Sequence, residues 1–323
     1  MLKNIGINRI CAFGDSSIDC GNVFFKSGGN VPKPPYHKGR FTNGWTWADL
    51  LSIYYKAQII NYAHGGATLD NQIVSGSAKT SDGSRIVVPG VKQQISEFIS
   101  LIPPPSKTTH DSVIKTSLKE FFGDKTLFLI SCGSNDLTSI IMPEYYIEKK
   151  SVGMTNFTKA KLFANLNKEC IDMLYCHSGA KNFLVSNCFP HEYIPFVNDW
   201  CNKQPNPETK LKETRKLTKL YNYHLQESLI NLKTKYPDIN IYLYNSFDFY
   251  DRVFTNPSHF GIKESPNMFK PVFEWSKRFD RSTEEETDRL DSIAEGRIWW
   301  DSSHITSSMH KLISKDIINT SLL

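Results

Sequence analysis

The sequence predicts an α/β fold: a five-stranded, mainly parallel sheet covered on both faces by helices. Three observations carry that expectation. Five short β-type runs recur along the 323 residues, and stretches of helical periodicity lie between them. Turns rich in Gly, Ser and Asn close several of the runs, on the edge of an open α/β sheet where ligands bind.

The first run, Arg9–Phe13, is apolar and ends at a glycine, as a buried parallel strand should. After the Thr42-Asn43-Gly44 turn, Trp45 to Leu51 begins a helix, and Gln58–Tyr62 supplies the second strand. Val91 to Ile99 places apolar residues at spacings of four and three, which predicts an amphipathic helix. Thr126–Ser131, Asn182–Ser186 and Asn240–Tyr244 read as the remaining strands. Between the last two, the helical pattern is clearest from about Pro207 to Lys235. There Leu217, Leu220, Tyr221, His224, Leu225, Leu229 and Leu232 share one face, and Pro237 stops the run.

Three segments break the rhythm. Ser75–Arg85 and the proline-rich Ile102–Asp111 read as exposed loops. Asn256–Glu295 is long and irregular, with Phe260, Met268, Phe269, Phe273 and Trp275 ahead of an acidic stretch. An insertion of that length is expected to be a lid or binding loop, or else to pack its aromatics onto the core. The whole chain, 1–323, reads as one domain with this insertion at 256–295.

Composition narrows the function classes. At 40% hydrophobic and 22% charged, with a net charge of +5, the chain is an ordinary globular protein. Its cations are spread rather than striped, so no nucleic-acid partner is expected. The denser cluster from Lys203 to Lys219 reads as a solvated helix face, one that would also favour an anionic lipid surface. The seven cysteines are odd in number and lack a CxxC pair, which indicates neither a disulfide framework nor a zinc site. Cys188 and Cys201 are the one candidate loop-closing pair. Cysteine usage and the absence of an apolar leader run at Met1–Gly6 lean towards a reducing compartment or export without a Sec leader, with secretion open if a leader is removed.

The residues that carry chemistry cluster at strand ends. Ser16 follows the first strand in Phe13-Gly14-Asp15-Ser16-Ser17, a sequence that is also good turn chemistry. Gly65-Gly66 follows the second strand, where backbone amides can approach a ligand closely. Asn135 follows the third, as an amide donor or a helix cap. Near the carboxyl end, Asp301 and His304 stand three apart, so on a helical turn the carboxylate reaches the imidazole. Acyl transfer needs a serine nucleophile, a base held by an acceptor, and preorganised oxyanion donors. Ser16, His304, Asp301, Gly66 and Asn135 fill each role once. A metal reading through Asp301 and His304 lacks a third ligand at a recognisable spacing, so neither metal nor cofactor is expected.

These blocks resemble the GDSL-type, or SGNH, serine hydrolases. The matching stretches are Phe13 to Asn22, Asn61 to Ala67, Gly133 to Asp136 and Asp301 to His304, in the family's order over nearly the whole chain. Gly39-Arg40-Phe41-Thr42-Asn43-Gly44 looks like the signature of the lipase, phospholipase A and glycerophospholipid acyltransferase branch. The resemblance implies a flavodoxin-like three-layer α/β/α sandwich. It also implies Ser16 as nucleophile, His304 as base oriented by Asp301, and the N–H groups of Ser16 and Gly66 with Asn135 as oxyanion hole. Ser17, Ile305 and His64 depart from the family pattern; the last is expected to narrow the site. A Gly-x-Ser-x-Gly elbow is absent, which disfavours the ordinary α/β-hydrolase fold.

The expected activity is therefore cofactor-free hydrolysis of acyl esters. Branch resemblance favours fatty-acyl chains of phospholipid or lysophospholipid, transient contact with a membrane surface, and acyl transfer to an alcohol acceptor. A short-chain or carbohydrate acetyl esterase and an inactive lipid-binding module on the same scaffold are the alternatives.

Overall fold

A computed structural model describes residues 6–80, 82–102, 122–263, 268–274 and 283–320. The five runs form one sheet: β1 (Arg9–Gly14), β2 (Gln58–Asn61), β3 (Thr126–Ser131), β4 (Asn182–Ser186) and β5 (Asn240–Tyr244). Their order is β2-β1-β3-β4-β5 and every neighbouring pair is parallel. The longer helices are α1 (Trp47–Tyr55), α2 (Val91–Ser100), α3 (Ser134–Ile141), α4 (Asn156–Ser178) and α5 (Pro195–Asn202). They continue with α6 (Pro207–Lys235), α7 (Ser246–Thr255), α8 (Glu284–Ala294) and α9 (Ser307–Asn319).

Strand alternation makes the three layers. In β1, Ile10 and Ala12 enter one apolar cluster, while Cys11 and Phe13 enter the other. Leu127 and Leu129 of β3 follow the first pair, Phe128 and Ile130 the second. Helices α1, α7 and α9 complete the first cluster, and α2, α4 and α6 the second. A sheet buried on both faces needs apolar residues at every position, which is why the strands read as continuous runs.

Local chemistry sets the helix starts. Thr46 and Asp49 form a capping box, so α1 begins at Trp47 rather than at Trp45. α6 opens with Pro207 at its first position and buries Thr214, Thr218, Tyr221, Leu225, Leu229 and Leu232.

Two loop expectations need correction. Within Ser75–Arg85 the chain forms a small antiparallel hairpin, Ser77–Lys79 against Arg85–Val87. Its turn is closed by Asp82, which accepts from the Ser84 amide at 3.0 Å, and by Gly83 at φ +84°. In 256–295, residues 284–294 are helical, because Thr283 accepts from the Glu286 amide and three glutamates occupy the positive first turn. Trp275 and most of the Ile102–Asp111 segment lie outside the described residues.

Parallel order 2-1-3-4-5 reverses direction between β1 and β3, and their carboxyl ends form the crevice where such sheets bind ligands. The two strands meet there closely. A Cβ on Gly14 would stand 2.2 Å from the Ser131 carbonyl oxygen, so only glycine fits. Gln94 of α2 clasps the same residue: its side chain accepts from the Gly14 N–H at 2.9 Å and donates to the Gly14 carbonyl at 2.9 Å. Gln94→Leu would strand the buried Gly14 N–H and leave the carbonyl only the His64 amide, which donates to it at 3.0 Å. It is expected to cost roughly 2–4 kcal/mol in urea denaturation; a loss below about 0.5 kcal/mol would mean that the clasp contributes nothing.

Candidate active site

Ser16 lies two residues past β1, on a turn fixed from several sides. The Asp15 N–H donates to the Ser131 carbonyl at 3.2 Å, and the Asp15 carbonyl accepts from Ile18 and Asp19. The Asp15 carboxylate accepts from the Ser17 amide at 2.9 Å, and burial pushes its pKa up. Asp19, wholly buried, takes the amides of Gly21 (2.8 Å) and Asn22 (2.7 Å) from its own turn. It also takes that of Gly65 (2.8 Å) from the loop after β2. One carboxylate thereby joins the serine turn to the glycine turn. Ser17, at a departing position, shares a hydrogen bond with Ser131 at 3.1 Å and faces away from no cavity: it lines the inner one described below.

Asp301 and His304 do meet, but not on a helix. Trp299 and Ile305 form an antiparallel bridge, and the residues between them make a tight turn. Asp301 Oδ1 accepts from the amides of Ser303 (2.6 Å) and His304 (2.8 Å), an Asx-type turn that puts the imidazole beside the other oxygen. Asp301 Oδ2 then engages His304 Nδ1 at 2.8 Å and accepts from the Tyr36 hydroxyl at 2.7 Å. The carboxylate is fully buried and receives four donors. With the Nδ1 proton held there, Nε2 is the basic nitrogen of the ring.

The Gly39–Gly44 stretch braces this turn. Arg40 forms a buried bidentate pair with Asp49 of α1, at 2.8 and 3.0 Å. The Phe41 ring lies 5.0 Å from that of His304 and fills the space a Cβ on Gly65 would need. Thr42 donates to the Ile305 carbonyl at 2.8 Å, and Asn43 accepts from the Ser307 amide at 2.8 Å.

Gly66 adopts φ +81°, and a Cβ there would approach the Ser77 carbonyl to 2.3 Å. Asn135, second residue of α3, donates one amide hydrogen to the Ala67 carbonyl at 2.8 Å. Its carbonyl oxygen accepts from the Tyr146 hydroxyl at 3.1 Å, so the amide is held at both ends. Among the described residues no acceptor takes the N–H of Ser16 or of Gly66.

Two cavities meet at these groups. Ser16, Asn135 and His304 line both, with Phe41 and Tyr146. The inner cavity, about 160 Å³, runs into the first apolar cluster past Trp47, Phe189, Ile194, Val197 and Ile313. The outer groove, about 740 Å³, is bordered by Gly66, the 77–87 hairpin with Lys79 and Arg85, and Tyr145. None of the described residues of 256–295 lines either cavity. Phe273, Leu290 and Ala294 instead pack with Tyr36 and Trp300, behind Asp301.

Sequence reasoning missed Gln94, Tyr36 and Tyr146, whose partners lie outside any local pattern. His64 bonds to the Tyr62 carbonyl at 2.8 Å and lines neither cavity, so it does not narrow them. Cys188 and Cys201 are buried free thiols. In the Lys203–Lys219 cluster, Lys210, Lys212 and Arg215 pair with acids. Among the described residues no cluster of His, Cys, Asp and Glu could hold a metal ion, and no helix is long and apolar enough to cross a membrane.

Fold and strand-end geometry define the class, an SGNH-type α/β/α sandwich. The chain belongs to the GDSL-like lipase/acylhydrolase family, whose pattern matches residues 10–317. A thermolabile hemolysin of Vibrio parahaemolyticus is 20% identical over 317 residues, 98% of this chain and 64% of that protein. The chain thus spans less than two thirds of that relative's length. A GDSL esterase/lipase of Arabidopsis thaliana is 25% identical over 301 residues, 81% of this chain and 72% of the relative. The phosphatidylcholine-sterol acyltransferase of Aeromonas hydrophila is 43% identical over 63 residues, 19% of each chain.

One buried acid at the site has a pH signature. Burial pushes the Asp136 carboxyl from 3.8 up to about 7, opposed by the Leu69 amide that donates to it. A carboxyl whose folded pKa is raised contributes stability at acid pH that is lost as pH rises from about 4 to about 7. Asp136→Asn keeps an acceptor for Leu69 and removes the ionisation. Its stability relative to wild type should improve between about pH 5 and about pH 8; parallel stability curves would show that the carboxyl is ionised throughout.

Proposed function

We propose that the chain is a serine hydrolase of lipid acyl esters, acting through Ser16, His304 and Asp301. The observation that carries this reading is the convergence of Ser16, Asn135 and an Asp301-clamped His304 where a cavity running into the first apolar cluster meets a groove bordered by Lys79 and Arg85. Ser16 Oγ attacks the ester carbonyl carbon as its proton passes to His304 Nε2. The N–H groups of Ser16 and Gly66 and the second amide hydrogen of Asn135 receive the oxyanion. Collapse expels the alcohol, which takes the proton from His304. Water then attacks the acyl-enzyme, gives its proton to His304, and releases the acid while Ser16 recovers its proton.

Phospholipid or lysophospholipid is the favoured substrate class. The apolar wall of Trp47, Phe189, Ile194, Val197 and Ile313 suits an acyl group, and Lys79 and Arg85 suit an anionic leaving group. The name of the Aeromonas relative agrees, and an alcohol acceptor in place of water would make the same acyl-enzyme a transferase intermediate. The enclosed volume favours a second reading, a short-chain esterase. At about 160 Å³ it is close to the roughly 150 Å³ of a cavity that holds benzene, so about six acyl carbons fit inside.

Fatty-acid release from lysophosphatidylcholine and diacyl vesicles, set beside turnover of soluble esters of graded length, tests both readings. Ser16→Ala and His304→Ala are expected to lower kcat by about 10⁴-fold or more; near-normal turnover in either would end the mechanism. Asn135→Ala should cost about 10²–10³-fold in kcat. Tyr146→Phe, which releases the amide at one end, is expected to lower kcat by about tenfold with KM little changed. A rise in KM alone would place Tyr146 in substrate binding instead.

A further inference from the structure

The segment joining α3 to α4, with the first turn of α4, exposes apolar side chains in close succession. Tyr145 is 42% exposed, Ile147 64%, Val152 69%, Met154 39% and Phe157 56%. The segment is nonetheless built into the fold. Ile147 and Glu148 pair with Val74 and Ser75, and the Lys149 amide donates to the Ile73 carbonyl at 2.8 Å. A buried ion pair of Lys159 with Glu148 at 2.7 Å ties it to α4. An ordered frame thus holds these apolar groups in water, where a chain gains nothing from them unless something covers them.

Charge selects the cover. Lys149 and Lys150 are exposed among the apolar residues, and Phe157 borders a groove in which Lys210 and Glu213 offset each other and leave Lys216 as the net cation. Of the nearby acids, Glu148 is paired with Lys159 and Glu213 with Lys210, while Glu144 accepts only from the neutral Trp200 indole at 2.8 Å; with Lys149, Lys150 and Lys216 the balance is still positive. Apolar groups rimmed by cations match an anionic bilayer surface. Position agrees as well. Tyr145 lines the outer groove against Phe196, at 5.3 Å between rings, and Tyr146 reaches Asn135.

We propose that residues 145–157 form a docking surface that seats the protein on an anionic lipid bilayer, with the mouth of the outer groove beside the contact. This inference rests on the lipid-ester reading above for its purpose, though not for its test.

The Ser16→Ala protein is sedimented with phosphatidylcholine vesicles, with and without phosphatidylserine. It is expected to partition onto the phosphatidylserine vesicles and to be released by salt. Adding Ile147→Ser, Val152→Ser and Phe157→Ser should lower partitioning by about tenfold or more. The same three changes in active enzyme should leave soluble-ester turnover within about twofold. Lys149→Glu with Lys150→Glu should erase the preference for phosphatidylserine. Equal partitioning of the triple variant and its parent overturns the proposal. So does unchanged vesicle binding with lost self-association, which assigns the patch to a second copy of the chain. Partitioning is read without catalysis, so failure of the ester-hydrolase reading would show separately, as undiminished soluble-ester turnover in Ser16→Ala.

Discussion

A carboxylate removed from water must be hydrogen-bonded, and the active edge of this sheet is assembled on that requirement. Asp19 takes the amides of Gly21, Asn22 and Gly65, Asp136 takes that of Leu69, and Asp301 takes those of Ser303 and His304. The first two acids draw donors from a loop belonging to another strand, so the demand of each buried carboxyl fixes one loop against the next. Asp301 differs in also accepting from Tyr36 and His304, which turns a structural requirement into orientation of the imidazole. Truncating Asp19 or Asp301 would leave several buried donors without partners, and truncating Asp136 would strand the Leu69 amide, a larger disturbance than the loss of one favourable contact.

The same economy explains the Gly39–Gly44 stretch. Arg40 is bolted to α1 through Asp49, which leaves Phe41, Thr42 and Asn43 as fixed contacts for the His304 turn and its continuation into α9. Phe41 also touches the place where Gly65 has no side chain, so the glycine is there to admit the ring. A signature of six residues thus packs against the glycine loop after β2 on one face and the histidine turn on the other. Behind the turn, Phe273 and Leu290 close over Trp300, and the described part of the 256–295 segment supports Asp301 from the rear.

Much of this was legible in the chain. The five strands lie within a residue of the expected bounds, and the central ones were plainest because a strand buried on both faces is apolar almost throughout. α6 was equally plain, its apolar stripe running the full length between two prolines. The small hairpin at 77–87 was not, since three-residue strands leave no periodicity and only the Asp82-Gly83 turn marks them. α8 was hidden by its acidic first turn, which reads as solvated loop unless the Thr283 cap is weighed. The proximity of Asp301 and His304 followed from their spacing, but through an Asx turn rather than a helix. Gln94 and Tyr36 could not be found at all. Each bonds to a residue at least 80 positions away, and no local pattern encodes such a pairing.

The site is unevenly held, and the unevenness follows the sheet. Ser16 sits on a turn whose amides and carbonyls are engaged by β3 and by its own Asp15, and Gly66 is locked against Ser77. The Asn135 amide is different. Its backbone belongs to α3, but its side-chain orientation depends on two hydrogen bonds, one from the hydroxyl of Tyr146. Tyr146 in turn belongs to the segment that exposes Tyr145, Ile147 and Val152. This amide takes its aim from two sides, the Ala67 carbonyl at the sheet edge and the Tyr146 hydroxyl of the outer segment. A shift of that surface segment would therefore reach the amide directly, while the serine and the imidazole stayed where buried carboxylates hold them.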